Sequence, residues 1–223
     1  CHFRVPSAYF PAAQLRTIMD ADHGRLLIDS RPTPAAGRQI VFHKKATRME
    51  SAGSGMICAH MDTAHGTTGA LDNASGLYVM MQMMELMADR SPRYDLQFIP
   101  FNGEDYADVS GQRAYLARYP DFDSLRLVIN IDGVGYCQSK NALSSYNLPD
   151  DWHAQVKEML EQDLQVEFGE PWFEGDHSMF TMQGIPALAL VSSDIDALTA
   201  ITHPDLDSIE TVPYTHLTPP TNR

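Results

Sequence analysis

The stretch that decides the fold runs from residue 55 to residue 102, where GMICAHM (55–61) precedes NASGLYVMMQMMELMADR (73–90) and YDLQFIPFN (94–102). The first and third segments are short apolar runs, which are typical of buried strands. The middle segment is rich in Met and Leu and ends on a basic residue, as a buried helix does. This order predicts an α/β unit in which the methionines pack in the core.

The same alternation continues on both sides of this stretch. Further elements are predicted as strands at 38–46, 125–134 and 186–192 and as helices at 110–119 and 149–163. A polar loop that carries His203 is predicted after the last strand. We therefore predict an α/β fold with a mixed, largely parallel central sheet and helices on both faces.

Composition excludes several classes of partner. The chain has 223 residues with 29 acidic and 16 basic side chains, a formal charge of −13. Such a charge repels nucleic acid backbones and anionic membrane surfaces. No apolar stretch reaches the roughly 18 to 20 residues of a membrane span. We predict no nucleic-acid partner and no membrane span, and we interpret Cys58 as a buried free thiol.

Ionisable side chains follow three of the predicted strands. His60 closes the strand at 55–61, Glu104 and Asp105 follow the strand at 94–102, and Asp132 follows the apolar run VINI. The carboxyl ends of parallel strands meet at one edge of a sheet, so we expect these side chains to lie close together. Each residue alone is more typical of a structural or solvated side chain, but an acid that closes a buried strand needs a cation or several donors.

Six short segments carry the functional prediction: AHMDT (59–63), GALDNASG (69–76), NGED (102–105), NIDG (130–133), EGDHSMF (174–180) and THPDLDS (202–208). In this order they resemble metallopeptidase family twenty-eight, the co-catalytic zinc aminopeptidases related to aminopeptidase Y and bacterial leucyl aminopeptidases. The resemblance covers about residues 36–213, which it implies are the catalytic domain. It also implies the zinc-exopeptidase fold, a three-layer sandwich of the phosphorylase/hydrolase-like type.

The resemblance implies two zinc ions held by five side chains. Asp72 would bridge both ions, His60 and Asp132 would complete one, and Asp105 and His203 would complete the other. The implied substrate is a peptide that loses its amino-terminal residues.

Two further carboxylates have implied roles in this reaction. Glu104 would be the general base for a water that bridges the metals. Asp62, two residues after His60, would accept the second ring proton of that imidazole and fix its tautomer.

The sequence departs from the family pattern at two positions. Asp105 stands where the family usually has Glu, which puts the occupancy of that metal position in question. Thr202 stands where several relatives carry a Tyr that donates to the oxyanion. His177 in GDHSMF is therefore the candidate oxyanion donor, and its alternative role is to cap the following helix.

Other activities on the same fold remain open. They are a glutaminyl cyclase, a carboxypeptidase and a catalytically inactive binding module. The ends of the chain carry separate expectations: residues 1–35 resemble the remnant of a small inserted lid domain, and 214–223 (YTHLTPPTNR) resemble a translated sequencing adapter. We exclude that tail, with His216, from the ligand set, and localisation stays open.

Overall fold

The structure is a computed structural model that describes residues 38–46, 53–105, 109–119, 122–162, 165–202 and 206–212. The predicted lid remnant at 1–35, the predicted tail at 214–223 and the predicted ligand His203 lie outside the described residues, so these three remain predictions.

A seven-stranded sheet forms the centre of the described part of the chain. Its strands in chain order are β1 (Phe42–Lys44), β2 (Ser54–His60), β3 (Asp95–Phe101), β4 (Leu125–Ile131), β5 (Asn141–Tyr146), β6 (Val166–Phe168) and β7 (Ala187–Ser192). They lie side by side in the order β1, β3, β2, β4, β7, β5, β6. Strands β3, β2, β4 and β7 are parallel, β1 and β5 run antiparallel to their inner neighbours, and β6 is parallel to β5. The predicted mixed, largely parallel sheet is confirmed.

Four α-helices connect the described strands and a fifth follows β7: α1 (Gly76–Ala88), α2 (Ser110–Arg118), α3 (Asp150–Glu161), α4 (Ser178–Thr181) and α5 (Ile195–Thr202). A turn at Ala70–Ser75, in which the backbone of Asp72 and Asn73 is not helical, leads directly into α1, and a single 3₁₀ turn forms at Ile209–Thr211. Within the described ranges, no helix has both the length and the apolar character that crossing a membrane requires.

Apolar clusters cover both faces of the sheet. On one face, Met56 and Cys58 of β2 pack with Phe101, with Tyr115 of α2 and with Phe180 of α4. On the other face, three residues of the sheet, Ile57, Phe98 and Ile131, pack against methionines of α1. These methionines are Met80, Met83, Met84 and Met87. The predictions of helices on both faces, of methionines in the core and of a buried free Cys58 are confirmed.

Three local predictions differ from the structure. The segment at 38–46 forms a strand only over Phe42–Lys44, and β5 and β6 were not predicted. The predicted polar loop after the last strand is instead largely α5. This helix forms because Ala197, Leu198 and Ile201 pack on a third cluster, which includes Leu71.

Candidate metal centre

The carboxyl ends of three parallel strands deliver the predicted site residues to one edge of the sheet. β2 lies between β3 and β4, and its last residue, His60, is in register with Phe101. Glu104 and Asp105 follow β3 after a short turn, and Asp132 follows β4 directly. The structure thus gathers side chains that are far apart in the sequence.

His60 lies at the centre of the cluster, with only 1% of its surface exposed. Its Nδ1–H donates to the backbone carbonyl of Asp62 at 3.0 Å. Its Nε2 lies 2.9 Å from Oδ1 of Asp72 and 3.2 Å from Oδ1 of Asp132. With Nδ1–H engaged by the Asp62 carbonyl, the ring presents Nε2 to two carboxylate oxygens. A positive charge between these groups, either a proton on Nε2 or a metal ion, would satisfy them.

The carboxylates also contain oxygens that lack hydrogen bonds. Among the described residues, the buried atoms Asp72 Oδ1 and Asp105 Oδ2 have no hydrogen-bond partner, although the former lies close to His60 Nε2. In folded proteins most buried polar atoms have a hydrogen-bond partner, so unpaired oxygens that lie together at one site are open to a ligand. Ligand atoms of His60, Asp72 and Asp132 lie within 4.8 Å of one another, as do those of His60, Glu104 and Asp105. One imidazole and several carboxylates are a donor set that fits zinc.

Burial and mutual repulsion of the acids dominate the electrostatics of the cluster. Burial, together with the negative charge of Asp132, raises the pKa of Glu104 to about 9. Burial and the neighbouring Asp72 raise the pKa of Asp105 to about 6. Burial alone would lower the pKa of His60, but the carboxylates of Asp132 and Asp72 outweigh it and raise that pKa well above its usual value.

The Asp62 carboxylate has a different position from the one expected. Its Oδ1 lies 4.0 Å from His60 Nδ1, too far for a hydrogen bond, and the backbone carbonyl of Asp62 accepts the ring proton instead. The carboxylate accepts the backbone N–H groups of Gly103, Glu104 and Asp105 at 2.7, 3.2 and 3.0 Å. Asp62 therefore holds the turn that carries two of the predicted site residues.

The turn that carries Asp72 is held against the end of β4. The Asn73 side chain donates to the carbonyl of Ile131 at 2.9 Å and accepts the N–H of Gly76 at 2.9 Å. Gly76 has no room for a side chain, because a Cβ there would collide with Asn73 and with the carbonyl of Ile131. These contacts keep Asp72 close to Asp132.

A comparison of sequence profiles decides the family. Peptidase family M28 matches residues 42–219, which is most of the chain. The chain belongs to peptidase family M28. No curated protein sequence is significantly similar to it.

Solved structures share the M28 fold of this chain. A zinc aminopeptidase from Bacillus subtilis has 21% identity and a TM-score of 0.65 over 80% of this chain and 46% of its own. An aminopeptidase from Aneurinibacillus sp. strain AM-1 has 20% identity and a TM-score of 0.67 over 80% of this chain and 44% of its own. A leucine aminopeptidase precursor from Bacteroides thetaiotaomicron has 19% identity and a TM-score of 0.64 over 81% of this chain and 72% of its own. The chain spans slightly less than half the length of the first two proteins.

His177 of the segment EGDHSMF does not have the position expected of an oxyanion donor. Its side chain is fully buried, its Nε2–H donates to the carbonyl of Trp172 at 3.0 Å, and its Nδ1 accepts from Asn130 at 3.4 Å. Burial lowers the pKa of His177, consistent with a neutral ring. The alternative of a side-chain cap is not seen either, since the ring makes no capping hydrogen bond to α4. His177 supports the packing between Trp172 and Tyr146.

Sequence reasoning missed two carboxylates near the M28 cluster. Asp207 is 2% exposed and binds the backbone at Leu71 and Asp72. Asp176 is also 2% exposed, accepts a hydrogen bond from Gln112, and has a pKa that burial raises to about 7. Asp207 lies in the segment THPDLDS and Asp176 in EGDHSMF. Each acid is close in sequence to a predicted site histidine, and this proximity could have indicated both of them.

Proposed function

We propose that this chain is the catalytic part of a di-zinc exopeptidase that removes amino-terminal residues from peptides. The observation that carries the proposal is the position of His60 Nε2, which faces carboxylate oxygens of Asp72 and Asp132 at 2.9 and 3.2 Å. Membership of peptidase family M28 and a fold shared with zinc aminopeptidases support the same activity.

Five ligands are proposed to divide between two zinc ions that share Asp72. His60 and Asp132 would hold one ion with Asp72, and the ligand atoms of these three lie close together. By the resemblance, Asp105 and His203 would hold the other ion with Asp72. The part of His203 rests on the resemblance of its segment, because that residue lies outside the described ones. When bound, the ions would polarise the scissile carbonyl, lower the pKa of water and offset the charge of the oxyanion.

Glu104 is proposed as the general base. Its Oε2 lies 3.9 Å from His60 Nε2, farther than the nearest oxygens of Asp72 and Asp132, and 23% of its side chain is exposed. Water can therefore reach this carboxylate at the mouth of the cluster. Glu104 would take a proton from the attacking water and then deliver it to the leaving amine. Asp62 aims it, because the Asp62 carboxylate binds the N–H of Glu104 and of both its neighbours.

The proposal is tested by a metal count together with an activity screen on the whole chain. We expect two zinc ions per chain and hydrolysis of aminoacyl anilides, with no hydrolysis of the same anilides after amino-terminal acetylation. A chelator should abolish the activity, and added zinc should restore it. His60→Ala should lose zinc and activity, whereas His65→Ala changes a nearby exposed histidine and should retain both.

Each alternative activity predicts its own result in this screen. One zinc ion per chain with cyclisation of amino-terminal glutamine would indicate a cyclase. Release of carboxyl-terminal residues would indicate a carboxypeptidase. A folded chain that binds no zinc at neutral pH would overturn the proposal and indicate a binding module.

A further inference from the structure

Asp207 connects two of the segments that carry proposed zinc ligands. Its side chain is 2% exposed, and Oδ1 accepts the N–H of Leu71 at 2.7 Å while Oδ2 accepts the N–H of Asp72 at 2.9 Å. The Thr68 hydroxyl donates to the backbone carbonyl of Asp207, which adds a third link between the same two segments. In sequence, Asp207 lies four residues after the proposed ligand His203.

These contacts fix the backbone on one side of Asp72, and Asn73 fixes it on the other. Asn73 donates to the carbonyl of Ile131 at the end of β4 and accepts the N–H of Gly76 at the start of α1. The chain is thus held on both sides of Asp72, through the backbone N–H groups of Leu71 and Asp72 and through the side chain of Asn73. Hydrogen bonds to an ionised carboxylate are roughly twice as strong as those between neutral groups, so an ionised Asp207 would restrain this turn strongly.

Apolar packing reinforces the position of Asp207. Leu71, whose N–H it accepts, is fully buried in a cluster with Tyr136 and Val212. Val212 follows Asp207 closely in the chain, so the same segment contacts the Asp72 turn through both a carboxylate and an apolar side chain. The turn therefore cannot move independently of this segment.

We infer that Asp207 is a positioning residue that aims the Asp72 carboxylate, the proposed shared zinc ligand, at the side of the cluster where His60 Nε2 lies. Both of its oxygens accept backbone N–H groups, and its ligand atoms are not among those that gather around His60. It also holds the Asp72 turn against the segment at 206–212. This inference rests on the proposed di-zinc function.

The main test compares Asp207→Asn with Glu210→Gln in the whole chain. The first variant keeps the size of the side chain but replaces one acceptor oxygen by an NH₂ group that opposes a backbone N–H. The second makes the same chemical change on an exposed side chain of the same segment. Zinc affinity is measured by competition with a chelator, and the ligand geometry by the visible spectrum of the cobalt-substituted protein.

We expect Asp207→Asn to bind zinc about 10- to 100-fold more weakly. This is the usual effect of losing a residue that orients metal ligands through hydrogen bonds without binding the metal itself. Its cobalt spectrum should change and kcat should fall with little change in KM, while Glu210→Gln should match the wild type in each measurement. Wild-type zinc affinity and an unchanged cobalt spectrum in Asp207→Asn, with only a lowered Tm, would show a purely structural role and overturn the inference.

A second variant covers the case in which Asp207→Asn does not fold. Thr68→Val removes the hydroxyl that binds the Asp207 carbonyl but leaves the buried carboxylate intact. We expect the same spectral change with a smaller loss of zinc affinity, and unchanged affinity and spectrum would again overturn the inference. Failure of the wild type itself to bind zinc would instead refute the proposed function.

Discussion

Replacing Glu104 by Gln tests the proposed general base with the smallest change of shape. The amide has nearly the size of the carboxylate but cannot take a proton from water. The Glu104 oxygen is 3.9 Å from His60 Nε2, whereas the nearest Asp72 and Asp132 oxygens are 2.9 and 3.2 Å away. We therefore expect Glu104→Gln to retain both zinc ions and to lose turnover.

The size of the loss follows from the single role that the change removes. General acid–base catalysis contributes about 10²- to 10⁴-fold to a rate. This range corresponds to an increase in the activation barrier of roughly 3 to 5 kcal/mol. KM should change much less than kcat, because Glu104 would act on the proton of the attacking water and not on the bound peptide.

The assay combines initial rates on an aminoacyl anilide with the zinc content of the same sample. Glu85→Gln provides the matched control, since it makes the same change on an exposed side chain of α1. A loss of kcat below about tenfold at full zinc content would refute the role of general base. Loss of one zinc ion in Glu104→Gln would show instead that Glu104 is a ligand, an arrangement that its proximity to His60 and Asp105 also permits.

Three further predictions concern stability. Zinc at about 1,000 times its Kd should stabilise the chain by about 4 kcal/mol, which raises Tm by roughly 8 to 16 °C in thermal unfolding with and without a chelator. A rise in Tm no larger than the spread among repeated measurements would contradict metal binding to the folded state. Phe180→Ala should cost about 3–5 kcal/mol in urea unfolding, because the fully buried ring contacts Phe101, Tyr115 and Phe122. Asp95→Asn should cost at most about 1 kcal/mol at neutral pH. The Ala46 N–H and Lys45 lower the pKa of Asp95, so this stabilisation is present above its ordinary pKa and should disappear as the pH falls below about 4. A cost that is unchanged at low pH would contradict this cause.

The parallel core of the fold could be predicted from the sequence because strands buried on both faces form continuous apolar runs. Residues 56–60 of β2 are all buried, and the apolar run at 55–61 indicated this strand closely. β5 could not be predicted in the same way, because NALSSY contains two serines. Ser144 is nevertheless fully buried, and its hydroxyl donates to the carbonyl of Glu170, far along the chain. The pattern of residues around Ser144 does not indicate a partner that lies far along the chain, so the burial of this serine could not be predicted.

The residues of the site were more predictable than their contacts. The order of the motifs identified His60, Asp72 and Asp132, which the structure brings together. The partner of the His60 ring proton was not predictable, because the side chain and the backbone carbonyl of Asp62 are both within sequence reach of the ring. Which of the two binds the ring depends on the position of the turn at 103–105. Its three N–H groups donate to the Asp62 carboxylate, so the carbonyl is left to accept the ring proton.

Strand β2 shows that folding and catalysis make different demands on the same seven residues. Both of its faces are covered, so a slip of one residue would exchange one apolar side chain for another over most of its length. The same slip would move the imidazole of His60 to the opposite face of the sheet, away from Asp72 and Asp132. Among single-residue deletions within β2, even a chain that still folds should therefore be inert, and a screen for solubility alone would not detect the loss.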